Sequence, residues 1–220
     1  MVDLNTWLPV FQQHLTDLFG NRIWFLGIQG SYARGEARES SDLDMVVILD
    51  SLSPGDIGAY RAMIRTLPEG EKLCGFLSGK EELLQWDGAD LFQFYWDTKP
   101  ILGSLDILKE KLDPGRAIHT GLCNLYHGCV HNMLYDRQEE LVAGLYKGAV
   151  FVLQALCYQQ TGAYVSQTKA LMMLLWEEDR PILEKALSYR QGAKVSFDQD
   201  SQLLLQWIQT HLKNKEGIPR

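Results

Sequence analysis

The chain has 220 residues, of which 46% are hydrophobic and 22% charged, and its formal net charge is −7. These proportions fit an ordinary globular protein and exclude a largely disordered chain, collagen or a coiled coil. The acidic balance argues against a grip on long nucleic acid, which needs a basic surface to release counterions. No apolar run reads as a membrane span, and the first residues lack the basic-then-apolar order of a signal peptide. Cys74, Cys123, Cys129 and Cys157 show neither zinc-type nor disulfide-framework spacing, so a reducing, cytoplasmic setting is expected.

In chain order, residues 6–19 form an amphipathic helix with Trp7, Leu8, Phe11, Leu15, Leu18 and Phe19 on one face. Residues 23–28 are a short apolar strand, residues 31–38 one or two helical turns, and residues 43–49 a second strand rich in Val and Ile. Ser53-Pro54 opens a helix to about Leu67. Residues 72–77 predict a third strand, 81–86 a short helix and 91–96 a fourth strand. Residues 97–115, with Pro100, Gly103 and Pro114-Gly115, predict an interdomain linker. Five helical segments follow, at 116–136, 138–161, 166–177, 179–188 and 200–213, and suggest a bundle. The fold class is therefore α+β, with a small mixed sheet flanked by helices over residues 1–115 and an all-α bundle over 116–220.

One segment carries chemistry. It runs Gly30-Ser31-Tyr32-Ala33-Arg34-Gly35-Glu36-Ala37-Arg38-Glu39-Ser40-Ser41-Asp42-Leu43-Asp44, between the first two predicted strands. Gly30 permits a sharp turn and close approach to a ligand. The Ser31 amide and its successors open a helix, which favours phosphate, and the Ser31 hydroxyl adds a hydrogen bond. Asp42 and Asp44 are two apart, so a strand projects both carboxylates from one face while Leu43 and Met45 point into a core. Two adjacent carboxylates call for a cation, and Mg²⁺ suits one or two carboxylates plus substrate phosphates. Such a pair beside a phosphate cradle suits phosphoryl or nucleotidyl transfer.

The segment resembles the signature of the DNA polymerase beta-like nucleotidyltransferase superfamily, a Gly-Ser, ten intervening residues and Asp-x-Asp. The resemblance is closest to the minimal and aminoglycoside nucleotidyltransferases, which often carry a C-terminal helical bundle. It implies a nucleotidyltransferase domain over 1–115 and Mg²⁺-dependent transfer of a nucleoside monophosphate, AMP from ATP, to a hydroxyl. Gly30, Ser31 and Arg34 would hold the triphosphate, Ser41 would cap the Asp42 turn as a further nucleotide-binding residue, and Asp42 and Asp44 would ligate one or two Mg²⁺ ions. An acceptor of aminoglycoside type would lie in the cleft between the domains, and a homodimer is expected by analogy.

The sequence departs from the pattern at the third carboxylate that many members supply from the third strand. Residues 72–77 contain no Asp or Glu, and the acidic position falls on Cys74 or a neighbour. A base could instead come from the helical domain. Thr120, Asn124, His127 and His131 make one polar stripe on an otherwise apolar helix, and His127 is the preferred candidate. Lys147, alone on the most apolar helix, is a candidate phosphate contact, and Lys169 a weaker one. Two further readings stand beside the main one. One is AMPylation of a protein, as in antitoxin-like minimal nucleotidyltransferases. The other is a non-catalytic nucleotide-binding protein, motivated by the missing carboxylate. No Arg–His spacing of the ribonuclease type occurs in the helical half.

Overall fold

In the computed structural model, which describes residues 1–213, the chain divides into two compact units. The first comprises Met1–Asp87 with Phe94–Lys111, and the second comprises Gly88–Gln93 with the chain from Leu112 onward.

The first unit is built on a four-stranded mixed sheet of order β3-β2-β1-β4. The strands are β1 (Ile23–Ile28), β2 (Leu43–Leu49), β3 (Leu73–Gly79) and β4 (Lys99–Leu102). β1 runs antiparallel to β2 and β4, whereas β3 lies parallel to β2. β2 is central, and Leu43 and Met45 through Leu49 are all fully buried. Its unbroken apolar run is what a strand covered on both faces requires. One cover comes from α1 (Leu4–Phe19) and α3 (Pro54–Ile64). Trp7, Phe11, Leu15 and Phe19 of α1 share a core with Leu43, Met45, Val47 and Leu49 and with Tyr60 and Met63 of α3. The spacing of these α1 residues is the helical stripe read from the sequence. Pro54 occupies the first turn of α3, as the Ser53-Pro54 pattern predicts, and Ser53 makes a reciprocal capping box with Asp56.

Two expectations are corrected. Residues 91–96 are not a strand; they lie in helix α5 (Gly88–Asp97). Leu91, Phe92 and Phe94 are buried, and the aromatic residues that suggested a strand here pack from a helix. The fourth strand is instead β4, inside the segment expected to be a linker. It is short, largely exposed and contains Pro100, which suits an edge position. Between β3 and α5 lies the short helix α4 (Lys80–Leu84).

The second unit contains α6 (Pro114–His131), α7 (Glu139–Thr161), α8 (Thr168–Leu174), α9 (Arg180–Arg190) and α10 (Phe197–Lys213). α7 is long and apolar enough to cross a membrane by length and composition, a property not read from the sequence because Lys147 interrupts it. Val142, Tyr146, Ala149, Val152, Leu153 and Cys157 are nevertheless buried among its neighbours, as in the core helix of a bundle. Two buried carboxylates organise this unit. Asp200, 1% exposed, takes Lys185 Nζ at 2.7 Å, the Tyr189 hydroxyl and the Ser196 amide. Asp179, fully buried, accepts from Trp207 Nε1 and pairs with His211 Nε2, both at 2.8 Å.

Candidate active site

The site grows from the turn that joins β1 to β2. β1 ends at Ile28, which is paired with Met45. The next amide, Gln29 N–H, donates to the Asp44 carbonyl at 2.8 Å. The Gln29 side chain donates to Thr98 Oγ1 at 2.6 Å and to the Phe94 carbonyl at 3.3 Å. The turn is thereby tied both to β2 and to the segment joining α5 to β4. The sequence reading missed Gln29; its place directly before the Gly-Ser pair was the available signal.

Gly30 follows with φ of +67°, and a Cβ added there would lie 1.9 Å from Asp44 Oδ2. The backbone of the turn and the Asp44 carboxylate therefore occupy one spot, which only glycine permits. Helix α2 (Gly30–Arg34) is a single turn and closes on Gly35, shorter than the residues 31–38 expected. Tyr32 Oη accepts from the Val2 amide at 2.9 Å, anchoring the N-terminal segment to this turn. Asp44 is half-buried on β2 between the fully buried Leu43 and Met45, and the exposed Asp42 immediately precedes the strand.

The remaining candidates divide. Ser31 is half-buried in α2 and its carbonyl accepts from the Glu36 amide at 2.8 Å. Arg34 is half-buried and pairs with Glu36 at 3.5 Å, so Glu36 competes for the charge expected to meet phosphate. Ser41 holds its own loop, since its Oγ accepts from the Arg38 amide at 2.8 Å and its amide donates to the Arg38 carbonyl at 3.0 Å. His127 and Lys147 are both exposed and belong to the second unit, as does Lys169. His127 has its ring centre 6.0 Å from that of His131. Neither unit by itself brings His127 or Lys147 to the two carboxylates.

The parallel register places Cys74 of β3 opposite Asp44 of β2. Side chains paired in this way leave the sheet on the same face, and Cys74 is exposed. On the third strand, then, a thiol rather than a carboxylate is paired with Asp44. Among the described residues, no group of three or more His, Cys, Asp or Glu side chains converges as a ready-made metal site.

These features agree with what the chain is similar to. Residues 16–111 match the family model described as the nucleotidyltransferase domain. No curated protein matches the chain. Ten chains of solved structures match. Among them is the crystal structure of spectinomycin adenyltransferase AAD(9) from Enterococcus faecialis with ATP and spectinomycin. It is 15% identical, covers 96% of this chain and 100% of its own, and has a TM-score of 0.58; at that identity the likeness speaks for the fold. Over residues 16–111 the chain matches a nucleotidyltransferase domain, and this match supports a transferase of phosphorus-containing groups.

Proposed function

We propose that the chain transfers AMP from ATP to a hydroxyl of a small molecule, in a reaction that depends on Mg²⁺ held by Asp42 and Asp44. The observation that carries this reading is the packing of Gly30 against the Asp44 carboxylate. It joins the backbone turn suited to a triphosphate and the carboxylate suited to its counter-ion in one place. The donor set fits Mg²⁺, because two carboxylates leave most of a six-oxygen shell to water and phosphate. Bound there, the ion would neutralise phosphate charge and polarise the phosphorus under attack. Gly30 and Ser31 would seat the phosphates through backbone amides and the Ser31 hydroxyl. Arg34 would join them on releasing Glu36. The adenyltransferase solved with ATP and spectinomycin supports both the nucleotide and a small acceptor.

Calorimetry with ATP, with and without Mg²⁺, tests the assignment. Asp44→Asn should abolish Mg²⁺-dependent ATP binding while leaving the helical signal and the unfolding midpoint near wild type, because the core neighbours Leu43 and Met45 are untouched. Wild-type binding in Asp44→Asn would sink the metal assignment. A second reading, a nucleotide-binding protein without turnover, is favoured by Cys74 standing opposite Asp44. Binding of ATP without pyrophosphate release over a broad panel of hydroxylated amines would favour it.

A further inference from the structure

The junction between α6 and α7 is an unusual turn. α6 runs into a π turn over Asn132–Asp136, and Arg137 follows with φ of 49°. Single π turns are rare and recur at functional sites. This one is held from several sides. The Asn132 amide, 2% exposed, donates to the Gln138 carbonyl and accepts from the Gln138 amide, each at 2.9 Å. The Arg137 guanidinium lies 4.5 Å from the centre of the Phe197 ring and reaches Asp198 at 3.0 Å.

The turn moves one side chain. At about 100° per residue, a position five places on in an α-helix lies about 140° around the axis. The wider π turn brings it back toward its starting point, and Asp136 Oδ2 stands 3.0 Å from His131 Nδ1. A carboxylate at Nδ1 keeps the proton on that nitrogen and leaves the Nε2 lone pair available, the arrangement that supports metal-binding histidines. One helical turn earlier is His127, its ring centre 6.0 Å from that of His131, and both are exposed. Two imidazoles bound to one ion at metal–nitrogen distances of about 2.0–2.1 Å have ring centres about 5–6 Å apart.

We infer that His127 and His131, with Asp136 behind the latter, form a binding site for a borderline divalent transition-metal ion, Zn²⁺ or its chemical kin Ni²⁺ and Cu²⁺. Imidazole suits these ions, whereas Mg²⁺ prefers oxygen, so the site differs in chemistry from the carboxylate pair. Two protein nitrogens hold the ion and water completes its shell, in keeping with the lack of any three-ligand cluster among the described residues. The row continues toward the start of α6 with Cys123 and His119, whose Sγ and Nε2 are 3.7 Å apart. That pair is the natural rival and serves as the control.

The experiment titrates the full chain with ZnCl₂ in Mg²⁺-free buffer, followed by calorimetry and thermal unfolding. One bound ion and a raised midpoint are expected. His127→Ala and His131→Ala should each weaken binding at least tenfold. Asp136→Asn should weaken it about 10–100-fold, as loss of an orienting carboxylate does, and Cys123→Ser should leave it unchanged. All four side chains are exposed, so the variants are expected to fold. Absence of binding, indifference to His131→Ala or Asp136→Asn, or loss of binding in Cys123→Ser would each overturn the proposal.

Discussion

Replacing Gly30 by alanine separates two effects that usually arrive together, because Gly35 supplies an internal reference. Both glycines have positive φ, +67° and +70°, yet a Cβ at Gly35 would meet nothing within 4 Å. Each Ala variant therefore bears the left-handed backbone penalty of about 1–2 kcal/mol. For a chain of this size that lowers the unfolding midpoint by about 2–8 °C. Only Gly30→Ala adds a collision, with Cβ 1.9 Å from Asp44 Oδ2 where ordinary contact begins at 3.4 Å. The carboxylate must retreat by more than 1 Å to make room, whereas metal ligands tolerate about 0.2 Å. Misplacement of about 1 Å at a reacting centre costs about 100-fold. Urea unfolding should thus show a loss for Gly30→Ala at least as large as that for Gly35→Ala. Calorimetry with ATP and Mg²⁺ should show near-normal binding in Gly35→Ala and loss of about 100-fold or more in Gly30→Ala. Equal Mg²⁺·ATP binding in the two variants would refute the argument that the turn and the carboxylate share one space.

Two other outcomes follow from the same structure. Cys74→Asp should place a like charge beside Asp44, lowering apo stability by up to about 1 kcal/mol, and should enlarge the rise in midpoint that Mg²⁺ produces; an unchanged Mg²⁺ response would show that Cys74 does not face the site. At Asp200, burial pushes the carboxyl upward, but hydrogen bonds from Lys185, Tyr189 and the Ser196 amide outweigh it and hold it below the usual carboxylate range. A lowered folded value means that this stabilisation is complete above the unfolded value near pH 4 and disappears as pH falls through the folded one. Asp200→Asn should cost about 1–3 kcal/mol at pH 7 and should flatten the acid limb of stability between pH 5 and 2, measured by urea unfolding at each pH. Parallel acid limbs in the variant and the parent would contradict it.

The segment from Gly30 to Asp44 was legible in the sequence because its parts are local. One turn and two flanking strands bring them together, so order and spacing suffice to predict a carboxylate beside a glycine turn. The α1 stripe and the Ser53-Pro54 helix start were legible for the same reason, since both lie within a few helical turns. The β4 segment was not: four largely exposed residues around Pro100 have little strand preference of their own, and pairing with β1 makes them a strand. The aromatic run at 91–96 erred in the opposite direction, because strand-favouring residues become helical where the helix buries them. The sequence alone determined that a glycine turn would stand beside the carboxylate of Asp44, since neighbours along a chain of known local geometry have few places to go. The tertiary structure alone decided that Cys74 lies opposite Asp44 and that a π turn brings Asp136 to His131. Strand register and helix irregularities are set by packing across the fold, which no short window of residues contains.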